Sequence, residues 1–165
     1  MDVQLPAVLA ANAAYQRVEF YRAPRTPQPT RGLVILTCMD ARLDPVRALG
    51  LESGQAHILR NAGGRASNDA IRSLVVSAHL LGTREVGAIH HTRCGLEGCT
   101  DEELAEKTGV HGLPFLAFAD VEVSVRQDVD VIRRSGHLPP GFVSWGAVYD
   151  VDTGALCVVV DPDDD

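Results

Sequence analysis

No apolar run in this chain approaches the roughly 18–20 residues that a membrane-spanning helix requires, so a membrane-embedded protein is not expected. A secretory leader is missing too. The opening "MDVQLPAVLA" has no basic region and no small-residue cleavage pattern, which points to the cytosol. Positive charge is in deficit. A formal net charge of −7 argues against non-specific binding to nucleic acid or to an anionic membrane surface. Of the 15 Lys and Arg residues only Lys107 is a lysine, a bias from which no mechanism follows. There is no G-K-[ST] phosphate loop and no G-x-G-x-x-G. Cysteine is sparse. In a reducing compartment the 4 thiols are expected to be metal ligands or core residues rather than disulfides.

What the chain does have is a core. Its 165 residues are 45% apolar, which suits one globular domain of ordinary size. "PAVLAANAAYQRVEFY" (Pro6–Tyr21) is Ala-rich and predicts a helix, and the proline-rich "APRTPQPTRG" that follows predicts a linker. Residues 1–30 are therefore expected to be an arm and linker, and residues 31–165 the α/β domain. Leu33–Thr37 is apolar at every position and predicts a fully buried strand. Ala56–Asn61 predicts a second strand. A Gly-rich turn then leads to a helix with Ser67 or Asn68 as its N-cap and Gly82 as its stop.

"EVGAIHH" predicts a third buried strand, and "TDEE" at Thr100 a capping box on a short acidic helix. Asp120–Gly136 predicts a further helix despite its β-branched content. "FVSWGAVYDVDTGALCVVV" predicts a hairpin across Asp152-Thr153-Gly154, followed by a solvated "DPDDD" tail. Strands alternating with helices imply an α/β fold, a mainly parallel central sheet flanked by helices. Such sheets bind ligands beyond the carboxyl ends of their strands.

Two strand ends carry chemistry. "LVILTCMDARLDP" places Cys38, Asp40 and Arg42 at alternate positions after an apolar run, and "GAIHHTRCG" supplies His91 and Cys94 after another. Each of these groups is costly to bury unless paired or coordinated. If the two strands are neighbours, Cys38, His91 and Cys94 converge. Two thiolates and one imidazole suit zinc, and three protein ligands leave a fourth tetrahedral position open, as in catalytic sites. The bland alternative is two core cysteines with a hydrogen-bonded histidine, and a structural ion pair between Asp40 and Arg42. The joint occurrence of both clusters at strand ends favours the metal.

"CMDAR", "RNAGGR", "RSLVVSAHLLGTREV" and "HHTRCG" together resemble the β-class carbonic anhydrases, in particular their short bacterial branch. The resemblance runs from about Leu5 to Val160, dense over Leu33–Asp101 and thin over Leu104–Pro140. It implies one zinc per chain held by Cys38, His91 and Cys94, with Asp40 and Arg42 as the dyad controlling the fourth position. It also implies a homodimer or dimer of dimers in which the N-terminal helix packs on a partner subunit. The activity implied is reversible hydration of carbon dioxide to bicarbonate and a proton. Zinc would supply hydroxide by lowering the pKa of bound water from about 15.7 to about 7.

In some members of that family the aspartate itself occupies the fourth position in an inactive state. Asp40 is therefore expected to be catalyst or plug according to conformation, with Arg42 drawing it away from the metal. Relatives with this fold hydrolyse carbonyl sulfide or carbon disulfide, which keeps that chemistry as an alternative. A non-catalytic zinc-bound binding domain, with Asp40 locked as fourth ligand, is a third.

One departure stands out: Arg93 lies where related sequences commonly carry aspartate, and is expected to face solvent and pair with an acidic residue such as Glu97. His90 is expected to point away from the ligand set and pack. Cys99 is expected to be a loop thiol, and Cys157 a core residue. Trp145 and Tyr149 are expected to serve in packing.

Overall fold

A computed structural model describes residues 4–20 and 26–162 of the chain. The expected helix end at Tyr21, the start of the linker and the last residues of the acidic tail lie outside them. Helix α1 runs over Leu5–Val18, with a proline in its first turn where the missing N–H costs nothing. None of its residues is buried, and Leu5, Val8, Leu9 and Val18 are all exposed. Alanine content explains why it is helical; among the described residues nothing gives it a face to bury.

Strand β1 (Leu33–Cys38) is followed by a one-turn helix α2 (Pro45–Ala48), which sequence reasoning missed. Asp44 starts that turn by accepting the Arg47 N–H, and proline occupies the first helical position. Strand β2 (Ala56–Asn61) leads through a 3₁₀ turn at Ala62–Gly64 into α3 (Asn68–Leu81). Ser67 caps α3 by accepting the Ala70 N–H, and Gly82 ends it in the left-handed conformation.

Strand β3 (Glu85–His91) precedes α4 (Asp101–Thr108), whose capping box between Thr100 and Glu103 is present. Helix α5 (Val121–Arg134) starts on Asp120 as its N-cap. Strands β4 (Val143–Tyr149) and β5 (Leu156–Val160) form the C-terminal hairpin. Among the described residues no helix is long and apolar enough to cross a membrane.

The five strands make one sheet in the order β2-β1-β3-β4-β5. The first four are parallel, and β5 is antiparallel to β4. Strand alternation then decides which side chains go where. Val34, Leu36, Val86, Ala88 and Val148 form the main core with Leu74 of α3 and Val125, Val129 and Ile132 of α5. On the opposite parity Ile35, Ile89 and Ala147 make a thinner layer with Leu49, Trp145 and Tyr149. Trp145 and Tyr149 serve in packing as expected. Cys157 does not: it lies exposed on the edge strand β5, where among the described residues no element covers it.

Candidate metal centre

β1 and β3 are hydrogen-bonded neighbours, aligned from Leu33↔Glu85 to Thr37↔Ile89, so their carboxyl ends arrive together. Cys38 is the last residue of β1 and His91 the last of β3. Cys94 follows His91 by a short turn through Arg93, whose φ is +55°. One donor atom from each of Cys38, His91 and Cys94 lies within 4.8 Å of the others, and all three residues are buried.

His91 Nδ1 is 3.0 Å from the Thr92 carbonyl, which fixes the ring and favours the proton on that nitrogen. Its Nε2 is buried without a hydrogen-bond partner. Buried polar atoms are almost always satisfied, so an unpaired nitrogen facing two thiols fits a metal ion that would take all three donors. Hydrogen bonding with Cys94 lowers the Cys38 pKa, assisted by His91 and by the backbone N–H groups of Asp40 and Gly63, while burial opposes it. Cys94 is pushed up, first by its hydrogen bond with Cys38 and then by burial. A cation at the three donors would relieve the repulsion between two thiolates.

The 3₁₀ turn approaches this site closely. A Cβ on Gly64 would sit 2.9 Å from Cys38 N and from Thr37 C, and its φ is +70°. Glycine is needed here for both reasons. Asn61 braces the turn, donating Nδ2–H to the Arg65 carbonyl and accepting the Arg65 N–H, each at 2.8 Å.

Asp40 and Arg42 form the expected two-bond pair. Arg42 Nε donates to Asp40 Oδ1 at 2.9 Å and an Arg42 terminal N–H to Oδ2 at 2.7 Å. The Arg42 backbone N–H also donates to Oδ1. These bonds hold the Asp40 carboxyl well below the usual carboxylate range. Asp40 Oδ2 is 3.8 Å from His91 Nε2, so the pair sits at the donor set rather than elsewhere on the surface.

Two further features were not foreseen. Arg60 on β2 grips the Cys38 and Asp40 carbonyls at 2.9 and 2.7 Å, fixing the backbone that carries both side chains. Arg42 also donates to the Arg93 carbonyl at 3.0 Å, so the left-handed turn at Arg93 holds the guanidinium from behind. Arg93 faces solvent as expected, but Glu97 accepts its backbone N–H while its guanidinium pairs with Asp152 in the β4–β5 turn. Only the contact between β1 and β2, and that between the Arg93 turn and the hairpin, could have revealed these partners. Neither is a local signal.

His90 points to the opposite side of the sheet and is fully buried against Ser124 and Asp128. Cys99 lies outside the donor set and is 3.9 Å from Lys107 Nζ. His57 is engaged by Ser77 and the Pro27 carbonyl, and His79 by the His137 carbonyl.

A mainly parallel sheet that brings two thiols and an imidazole to its carboxyl edge, with a charged pair beside them, defines an α/β protein with three donors that could hold a metal ion. Comparison with known proteins narrows this further. The carbonic anhydrase family matches residues 33–137. Beta-carbonic anhydrase 1 of Mycobacterium tuberculosis is 37% identical over 153 residues, covering 90% of this chain and 93% of that protein. The crystal structure of carbonic anhydrase from Streptococcus mutans superposes with a TM-score of 0.85 at 42% identity, covering 96% of this chain and 99% of that one. A carbon disulfide hydrolase of Acidithiobacillus thiooxidans is 30% identical over 151 residues, covering 76% of each chain. The chain belongs to the carbonic anhydrase family, in its β class.

Proposed function

We propose that this protein catalyses the zinc-dependent reversible hydration of carbon dioxide, with Cys38, His91 and Cys94 holding one zinc per chain and Asp40 and Arg42 as the catalytic pair. The observation that carries the reading is the buried, unpartnered His91 Nε2 facing two thiols, with the Asp40 carboxylate 3.8 Å away. Zinc bound by these donors supplies Lewis acidity that makes hydroxide available from water near neutral pH.

The remaining chemistry falls to this chain's own groups. Asp40, kept ionised by Arg42, accepts a hydrogen bond from the attacking water and so aims its lone pair at the substrate carbon. Arg42, anchored on the Arg93 carbonyl, keeps the carboxylate from becoming a fourth ligand. A small, largely apolar recess lined by Thr37, Leu43, Asp44, Leu49, Ile89 and Tyr149 supports a small substrate of low polarity. Leu43 and Tyr149 of that recess also pack in the cluster around Cys38 and Cys94. The two-bond Asp40–Arg42 pair argues against a permanently plugged, non-catalytic domain, which needs no arginine to withdraw the carboxylate.

A second reading keeps the site and changes the substrate to carbon disulfide or carbonyl sulfide, and the resemblance to a carbon disulfide hydrolase supports it. Stopped-flow carbon dioxide hydration, run beside carbonyl sulfide and carbon disulfide hydrolysis on one zinc-quantified preparation, separates them. Fast hydration with negligible sulfur hydrolysis is expected, and the reverse pattern overturns the first reading.

The same reading makes residues 1–30 an arm attached to a domain of residues 31–165. The exposed apolar side chains of α1 are expected to pack on a second copy in a homodimer or dimer of dimers. The four free thiols support a cytoplasmic location. Deleting residues 1–28 should impair assembly in light scattering; a fully active monomeric truncation would refute the arm.

A further inference from the structure

Beneath the metal centre lies a buried charged cluster that the catalytic chemistry does not use. Arg65 directly follows the Ala62–Gly64 turn. Its Nε donates to Asp128 Oδ2 at 2.7 Å, one terminal N–H to Asp128 Oδ1 at 3.2 Å, and the other to the Leu116 carbonyl at 2.6 Å. The guanidinium also lies 5.4 Å from the centre of the Phe118 ring. The side chains of Arg65 and Asp128 are 10% and 4% exposed, so this is an ion pair inside the protein. Asp128 Oδ2 is shared: His90 Nε2, on the residue before His91, lies 3.1 Å from it.

One carboxylate on α5 thus meets both the turn against Cys38 and the strand that ends in His91. Buried ion pairs are rarely the most stable filling for a core, since desolvation of both charges offsets their attraction. An apolar pair would seal the gap under α5 as well. What the ion pair supplies is direction. The Arg65 fork fixes one angle between the turn and α5, and the turn presses on the end of β1, where a Cβ on Gly64 would lie 2.9 Å from Cys38 N and from Thr37 C.

We propose that Arg65 and Asp128 are positioning residues for the metal centre: their buried pair holds the Ala62–Gly64 turn in close contact with the β1 backbone that carries Cys38. A backbone clamped behind a ligand fixes where its sulfur sits, and groups behind metal ligands commonly set affinity in this way. The inference rests on the reading of Cys38, His91 and Cys94 as ligands.

The test uses the full-length protein with Arg65→Lys, which keeps the charge and loses the fork, and Asp128→Asn, which keeps the shape and loses the charge. Val129→Ala, in the same helix and the same core, serves as the control for generic loosening. Zinc affinity is measured by competition with a chromophoric chelator, and the thiolate-to-metal absorption band is recorded on cobalt(II)-substituted protein. Both network variants are expected to bind zinc roughly 10- to 100-fold more weakly and to shift the cobalt band. Val129→Ala is expected to lower Tm without changing either.

If the folded Arg65→Lys protein keeps wild-type zinc affinity and an unmoved band, the positioning role is wrong. It is equally wrong if Val129→Ala matches the effects of the network variants. Should Asp128→Asn fail to fold, Arg65→Lys alone carries the test. A wild-type protein that binds neither zinc nor cobalt would instead sink the ligand assignment itself.

Discussion

Replacing Gly64 by alanine tests how tightly the strand end that carries Cys38 is built. Gly64 and Gly109 have the same φ of +70°, but they differ in their surroundings. Nothing lies within 4 Å of a Cβ on Gly109, the C-cap of α4. A Cβ on Gly64 would meet Cys38 N and Thr37 C at 2.9 Å and Thr37 Cα at 3.1 Å. Both substitutions carry the left-handed conformational penalty of about 1–2 kcal/mol. Only Gly64→Ala adds an overlap, and it falls on the backbone of β1, which is paired on both sides and cannot retreat cheaply. Overpacking of this kind costs about 1–3 kcal/mol.

Gly64→Ala should therefore exceed Gly109→Ala by about 1–3 kcal/mol, or roughly 2–12 °C in Tm for a chain of this size. Because the overlap pushes on Cys38, zinc affinity should also fall for Gly64→Ala and stay at the wild-type value for Gly109→Ala. Thermal melts and chelator competition on both variants give the two numbers. Equal Tm losses with equal zinc affinities would show that the turn has room to give, and the close-approach argument would fail.

Cys38→Ser and Cys94→Ser should each lose zinc and activity together in paired metal analysis and hydration assays; full zinc occupancy in both would overturn the ligand assignment. Arg42→Ala should keep its zinc and become nearly inactive, because Asp40 is then left with the metal as its best partner. Asp40→Asn should keep zinc and lose about 100-fold or more in rate through misorientation. The double variant should fall short of the summed single effects, since both residues act on one position, and near wild-type turnover in Arg42→Ala refutes gating. Asp101 is held below the ordinary carboxylate pKa by N–H groups of Ala117, Leu116 and Phe115, so its contribution exists above the unfolded pKa of about 3.9 and fades as pH falls through the folded value. Asp101→Ala should accordingly lower Tm at neutral pH, with the difference from wild type closing in strong acid; a constant difference would contradict it.

The elements that the sequence determined are those whose signals are local. Apolar runs set β1 and β3, Ser67 and Asp120 capped their helices as side-chain acceptors, and Gly82 ended α3 through the only residue type that enters the left-handed region freely. The donor set was legible for the same reason. Cys38 and His91 end their strands and Cys94 follows by a short turn, and parallel α/β sheets present strand ends on one edge. Helix α2 escaped notice because a single turn has too few residues for periodicity to show.

What tertiary structure alone decided is everything that depends on which distant side chains meet. Cys157 alternates like a core residue along its own strand, but exposure depends on what covers the sheet there, and no described element of this chain does. Glu97 was the nearest acid in sequence to Arg93, yet Asp152 takes the guanidinium because the hairpin turn folds back over that loop. Arg65 closes the RNAGGR stretch, but Asp128 lies 63 residues away and no local pattern links the two. Their pairing follows from α5 packing on the face of the sheet over β3 and β4, a contact whose register no local pattern encodes.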